Sequence, residues 1–217
     1  MSPKLYCWDS SAPVRSVYLT AAALNLKLER VLVNLRAGEQ MNPEYIKINP
    51  QHTVPTLIDD DGTCIWDSHA IMAYLTSKYG KDDSLYPKDL AKRALIDQRL
   101  HFDSGKAFPV VQGIAKPILY SGSKTIPEHW KTQGIQVYEF LEKFLENNLW
   151  MAGQTLTLAD LSLLSTITAL DFLVPIDEKK FPNLVGWIKR GEKLPYYKCN
   201  EEGLNSFKDV MKKKLGL

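Results

Sequence analysis

The chain is short of cysteine, of histidine and of long apolar runs, and each shortage argues against a class of protein. Its three cysteines, Cys7, Cys64 and Cys199, are odd in number and widely spaced in 217 residues, which argues against a disulfide framework and for a reducing, cytoplasmic setting. His52, His69, His101 and His129 are scattered, and none stands at ligand spacing from a cysteine or a carboxylate, so no metal site is expected. No apolar stretch approaches the roughly 20 residues that span a bilayer, and the start, Met1-Ser2-Pro3-Lys4, lacks the apolar core of a signal peptide, so no membrane partner is expected. Excess charge of one sign is missing too. With 27 basic and 25 acidic residues the formal net charge is +2, and Lys212-Lys213-Lys214 reads as a solvated helix end, so nucleic acid is not an expected partner.

What the chain does have is length for two domains and a sharply punctuated first half. Its most informative stretch is Asn49-Pro50-Gln51-His52-Thr53-Val54-Pro55-Thr56-Leu57. The two prolines push Asn49 and Val54 out of the α region, and an X-Pro bond is where a cis peptide can occur. Val54 then offers its backbone N–H and C=O sideways, an edge to which an extended peptide can add. A plain loop leading into a strand is the alternative.

Around this stretch, Lys4-Leu5-Tyr6-Cys7-Trp8 reads as a strand, Pro13 suits the first turn of a helix over 14–24, and a second strand covers 28–33. One helical turn over 44–48, a hairpin about Asp60-Asp61-Gly62 and a helix over 69–78 complete the order β-α-β-α-β-β-α. That is a thioredoxin-like order, with a mixed sheet and helices on both sides, occupying residues 1–80. Residues 81–88 have the charged and turn-forming composition of a linker. Residues 89–217 carry only helical patterns, so the fold class is an α/β thioredoxin-like domain followed by an all-α helical bundle. Pro109 and Pro117 should bend or break a helix over 89–119, and another helix covers 127–147. Thr157-Leu158-Ala159-Asp160 has a capping-box layout ahead of a run, 161–173, apolar on most faces and therefore central. Helices over 181–193 and 204–214 follow.

Thioredoxin-like redox proteins carry a reactive thiol where the first helix begins. Here that turn reads Ser10-Ser11-Ala12-Pro13, so a sulfur, if one is used, must arrive with a ligand. Holding a thiol of pKa about 8.5 as thiolate near pH 6.5 takes about 2.7 kcal/mol. One hydroxyl donor supplies roughly 1.5–3 kcal/mol and a helix N-terminus up to about 1, so Ser11 suffices as a hydrogen-bond donor. It is not a base, because no histidine or carboxylate adjoins it to take its proton. A simple helix cap is the plainer reading of Ser11. Asp67-Ser68-His69 opens another helix, where the terminus and Ser68 suit a carboxylate and Asp67 an ammonium, the two ends of an amino-acid head group. His52 can reach a second carboxylate. Asp67 as cap and His52 as surface residue remain open. A thiol oxidoreductase using Cys7 has little support, since no second cysteine lies nearby.

These residues together resemble the cytosolic glutathione transferases, in particular the insect delta/epsilon group, over the full length. The resemblance rests on Ser-Ala-Pro-Val-Arg (11–15), Asn-Pro-Gln-His-Thr-Val-Pro (49–55), Trp-Asp-Ser-His-Ala-Ile (66–71), Ser-Leu-Tyr-Pro-Lys-Asp (84–89), Gln-Arg-Leu-His-Phe-Asp-Ser-Gly (98–105) and Leu-Thr-Leu-Ala-Asp (156–160). His69 and the His-Phe-Asp-Ser-Gly run favour the epsilon class. The resemblance implies a cytoplasmic homodimer that binds glutathione as co-substrate, needs no cofactor, and conjugates it to hydrophobic electrophiles or reduces hydroperoxides in detoxification. It implies that Ser11 holds the thiolate, that Val54, before a cis Pro55, pairs with the cysteinyl backbone, and that Asp67, Ser68 and His69 surround the γ-glutamyl end. His52 and Gln40 then face the glycyl carboxylate. Phe108, Val111, Gln112, Ala115, Leu119, Leu204 and Phe207 are the residues it implies for the electrophile pocket. Two departures stand out: Gln40 replaces a histidine common in relatives, and Gln112 an arginine that an epsilon relative can place over the site. The rival to an enzyme is a carrier of apolar ligands on the same scaffold.

Overall fold

The computed structural model describes residues 2–217; Met1 lies outside them. Strand β1 (Lys4–Cys7), helix α1 (Ala12–Ala23) and strand β2 (Glu29–Leu32) form the expected parallel unit, followed by α2 (Pro43–Ile48), the hairpin β3 (Thr56–Ile58) and β4 (Cys64–Trp66), and α3 (Ser68–Tyr79). The sheet order is β2-β1-β3-β4, with β1 parallel to β2 and antiparallel to β3. Alternation along β1 sorts its two faces. Leu5 and Cys7 are fully buried with Leu57 of β3, while Tyr6 meets Tyr45 of α2 edge to face at 5.6 Å.

The hairpin turn is closed at Gly62, whose φ of +83° suits a residue without a Cβ. Beside it the buried carboxylate of Asp59 accepts hydrogen bonds from Tyr74, Tyr79 and Lys78 of α3. Burial opposes the charge on Asp59, but these donors outweigh it and hold the group below the usual carboxylate range. A depressed acid pKa stabilises the fold above the unfolded value and loses that contribution as pH falls. Asp60 and Asp61 also face Lys78, so its ammonium occupies the space among the three carboxylates that a cation would take.

Helices make up the rest: α4 (Leu90–Phe102), a wide π turn (Asp103–Ala107), α5 (Phe108–Tyr120), α6 (Glu128–Phe144), α7 (Leu158–Leu173), α8 (Pro182–Gly191) and α9 (Lys198–Leu215). The expected break between α4 and α5 falls just before Pro109 rather than at it. Proline has no N–H for the carbonyl of Gly105 and its ring crowds that carbonyl, and the widened turn makes room. Pro117 stays inside α5, which ends three residues later at Tyr120. Helix α9 begins at Lys198, six residues ahead of the expected start. Its first turns are polar, yet Asn200 and Gly203 are buried. A Cβ on Gly203 would lie 2.1 Å from the Asp9 carbonyl oxygen, so glycine is what lets α9 press against the turn that precedes α1.

Helix α7 is buried on nearly every side and packs on α1, which joins the sheet to the bundle. Its N-terminus is closed by Asp160, whose carboxylate accepts from the Thr157 N–H at 2.9 Å and hydroxyl at 3.1 Å, the Met151 N–H at 2.7 Å and the Trp187 indole N–H at 2.9 Å. Among the described residues no helix is long and apolar enough to cross a membrane.

Candidate functional site

A cleft of about 540 Å³ opens between the sheet half and the bundle. On the sheet side it is lined by Ser11, Gln40, His52, Val54, Pro55, Asp67, Ser68 and His69, which are all the residues expected around the tripeptide. Each is set there by its own local structure.

Ser11 is the N-cap residue of α1, with extended backbone at φ −74° and ψ 123°, and Pro13 follows in the first turn. Its side chain makes no capping hydrogen bond, and no acidic residue occupies the first turn. The hydroxyl is therefore uncommitted at the positive end of a helix dipole, an arrangement suited to an anion. The half-exposed Ser11 also has no general base attached, so the group can donate but is not set up to attack.

The loop before β3 is braced by Asn49, which is fully buried. Its side-chain NH₂ donates to the Thr53 carbonyl at 3.0 Å and the Thr56 hydroxyl at 2.8 Å, and its oxygen accepts from the Gln51 N–H at 2.9 Å. Tyr45 donates to the same Thr53 carbonyl. The Val54-Pro55 bond is cis. Val54 makes no backbone hydrogen bond among the described residues, although β3, two residues on, is paired on both edges. One N–H and one C=O are thus left free on a residue that lines the cleft, just ahead of a strand paired on both edges. His52, at φ +45°, is exposed at the rim.

Asp67 caps α3 by accepting the N–H groups of His69 at 2.9 Å and Ala70 at 3.2 Å on one carboxylate oxygen, which leaves the other for a ligand. Its φ of +71° with ψ 122° is strained for a residue with a Cβ, a cost found where geometry serves a site. Ser68 follows as the first residue of α3. His69, expected beside the tripeptide, turns its ring toward the bundle: Nε2 lies 2.7 Å from the Ser162 hydroxyl of α7. Ser162 in turn donates to Asp103 of the π turn at 2.5 Å, so the single hydroxyl proton is spent and the His69 Nε2–H must be the donor.

Two buried acceptors in this cleft lack partners among the described residues, the Oε1 of Gln40 and the Oδ1 of Asp103. A buried unpaired acceptor is costly, and both are suited to a ligand rich in N–H donors, such as an ammonium or peptide amides.

On the bundle side the expected residues separate. Phe108 and Gln112 line the cleft, and Leu119 and Phe207 line a side lobe of about 360 Å³ that shares Tyr120 with it. Val111, Ala115 and Leu204 are buried in the core and line neither space. Asp103, Ser162, Lys116 and Tyr120 lie in the cleft outside the expected set. For the last two a signal exists in the sequence. Phe108, Gln112, Lys116 and Tyr120 recur every four residues, one helical face, whereas Val111, Ile114, Ala115 and Ile118 form the face turned to the core. Cys7 is no rival nucleophile, since burial pushes its thiol above the ordinary value.

The glutathione S-transferase N-terminal domain model matches residues 11–78, and the glutathione S-transferase C-terminal domain model matches residues 98–195. The chain is 45% identical to glutathione S-transferase 1 of Manduca sexta over 97% of its own length and 98% of that protein. Its fold is similar to that of an epsilon-class glutathione S-transferase from the housefly, Musca domestica, with TM-score 0.95 and 49% identity over 98% of each chain. It is equally similar, at TM-score 0.95 and 50% identity over 98% of this chain and 97% of that one, to a glutathione transferase homologue from Drosophila mojavensis solved with bound glutathione.

Proposed function

The chain belongs to the glutathione S-transferase family, beside its epsilon-class insect members, and on that footing we propose how its residues divide the work. Glutathione lies along the sheet side of the cleft. Its cysteinyl backbone pairs with the free N–H and C=O of Val54 as one short added strand. Its γ-glutamyl carboxylate meets Ser68 and the N-terminus of α3, and its ammonium meets the open oxygen of Asp67. His52 and Gln40 receive the glycyl carboxylate, while His69 acts at one remove by tying α3 to Ser162 and Asp103.

The thiol then sits over Ser11. The hydroxyl donates to the sulfur and, with the N-terminus of α1, stabilises the thiolate by the roughly 2.7 kcal/mol needed to ionise it near pH 6.5. The sulfur lone pair attacks an electrophilic carbon held against α5, forming a C–S bond as the leaving group departs with its electron pair. The protein's part is ionisation and positioning, with no covalent intermediate of its own. Residues 1–80, 81–88 and 89–217 serve as glutathione domain, linker and electrophile domain. A cytoplasmic homodimer is the form we expect, pairing the surface of α3 and α4, where Leu90 and Leu95 are exposed.

One observation carries this reading: a serine hydroxyl left unused at a helix N-terminus, within the same cleft as an unpaired strand-like backbone. The test is to titrate the complex while following the ultraviolet absorbance of the thiolate. Bound glutathione should ionise with an apparent pKa of about 6.5 against about 8.5 in water. Ionisation at the same pH as in buffer removes the basis of the reading.

A further inference from the structure

The side lobe of the cleft carries a charge pattern that the transferase chemistry does not require. Its floor is apolar, made by Trp8, Leu119, Phe207 and Val210, and Phe207 is fixed edge to face against Phe172 at 6.3 Å. Its rim holds Arg36 and Lys214, and Lys116 lines the main cleft one helical turn before Tyr120, the residue the two spaces share. The three cations come from three separate elements: the loop after β2, the middle of α5 and the end of α9. None forms an ion pair with a carboxylate among the described residues. Arg36 instead lies 5.7 Å from the centre of the Trp8 ring, and Lys116 rests 3.4 Å from the Gln112 amide oxygen. No aspartate or glutamate lines the lobe, and the cleft's two carboxylates, Asp67 and Asp103, lie with the residues assigned to glutathione. The Lys124 ammonium adds to this by capping the Lys214 carbonyl, which offsets the negative end of the α9 dipole at the mouth.

A lone surface lysine needs no explanation. Two unpaired cations, Arg36 and Lys214, at the rim of an apolar hollow with no acidic residue in its lining are a different case, because low-dielectric walls focus a field of one sign into the space they enclose. Lys116 in the neighbouring cleft adds charge of the same sign. All three cations are exposed and hydrated, so an apolar guest gains nothing from them, a cationic guest is repelled, and an anionic guest gains an attraction that solvent weakens but does not remove.

We propose that the second substrate is an apolar electrophile bearing a carboxylate, with its reactive carbon over Ser11, its apolar body on Leu119, Phe207 and Val210, and its carboxylate between Arg36 and Lys214. The proposal rests on the transferase reading and names the substrate class for it. The probe is a medium-chain enone with a terminal carboxylate, compared with its methyl ester. The charge lies far from the reacting carbon, so the two react alike with free thiolate. In each, the sulfur lone pair forms a bond to the β-carbon, the π electrons move to the carbonyl oxygen, and water returns the proton.

The wild type should prefer the acid over the ester at least about fivefold in kcat/KM, and raising the salt should raise KM for the acid alone, as screening predicts. Arg36→Gln combined with Lys214→Gln should bring the ratio close to one, and Lys214→Glu should invert it. An uncharged aryl halide separates the two levels of the claim. If the wild type conjugates the aryl halide but shows neither an acid preference nor a salt effect, the carboxylate proposal is overturned and the transferase reading stands. If it conjugates none of the three compounds, the transferase reading falls and takes the proposal with it.

Discussion

Helices α7 and α1 touch along their lengths, yet their N-termini are finished in opposite ways. At α7 the cap side chains are used within the fold: Thr157 donates to Asp160 through its N–H and hydroxyl, and the remaining carboxylate oxygen ties down Met151 and Trp187, all out of solvent. At α1 a serine stands in the same cap position with its hydroxyl unbonded and a cleft in front of it. The chemistry available to the two ends is alike, since both offer orphan N–H groups and a short polar side chain. What differs is whether the protein supplies the anion. At α7 it does, with Asp160, and the terminus holds the fold. At α1 it does not, and in the proposed mechanism this open terminus is where a ligand's sulfur gains its charge.

The largest effect that this contrast predicts is at Asp160. Asp160→Ala deletes an acceptor of four hydrogen bonds and leaves buried donors unpaired, which should cost about 3 kcal/mol, or roughly 10 °C in the melting temperature. Thermal denaturation checks it, and a loss below about 3 °C would mean that α7 is held by packing alone. Ser11→Ala should show the reverse profile. With no cap bond to lose, the melting temperature should stay within about 2 °C, while kcat/KM for an aryl halide should fall about 100-fold, which corresponds to about 2.7 kcal/mol of lost thiolate and transition-state stabilisation. A variant that loses stability instead of activity would make α1 a second structural cap and end the contrast.

Much of this was legible in the sequence because the deciding signals are local. The prolines at 13, 50 and 55, the Asp-Gly hairpin and the Thr157 to Asp160 spacing each act within a few residues, and the elements they mark are present. What escaped depends on contacts across the chain. The polar start of α9 has no apolar period, and only the Asp9 carbonyl against Gly203 explains its course. The His69, Ser162 and Asp103 cluster joins α3, α7 and the π turn, elements far apart in sequence. Arg36, Trp8 and Lys214 meet in the side lobe for a similar reason. Val111, Ala115 and Leu204 show a different shortfall, one of helical phase. They belong to the right helices but face the core, and counting in fours from Phe108 would have selected Lys116 and Tyr120.

The smallest expected effect concerns the far end of the site from Ser11, where the protein again leaves anion binding incomplete. Gln40, in a short turn over Glu39–Met41, lines the cleft, and in the proposed binding mode only its side-chain NH₂, a neutral donor, can serve the glycyl carboxylate. Gln40→His would add a group that is cationic below its ordinary pKa of about 6.5. A charge-assisted bond exceeds a neutral one by roughly 1 kcal/mol, and exposure to solvent reduces that, so KM for glutathione should fall about threefold at pH 6. The gain should fade by pH 8, where the imidazole is neutral and differs little from the amide. Steady-state KM at the two pH values, with the thiolate titration unchanged, would place the contact at the carboxylate end. An equal KM at both would mean that the glycyl carboxylate is held by His52 without help from residue 40.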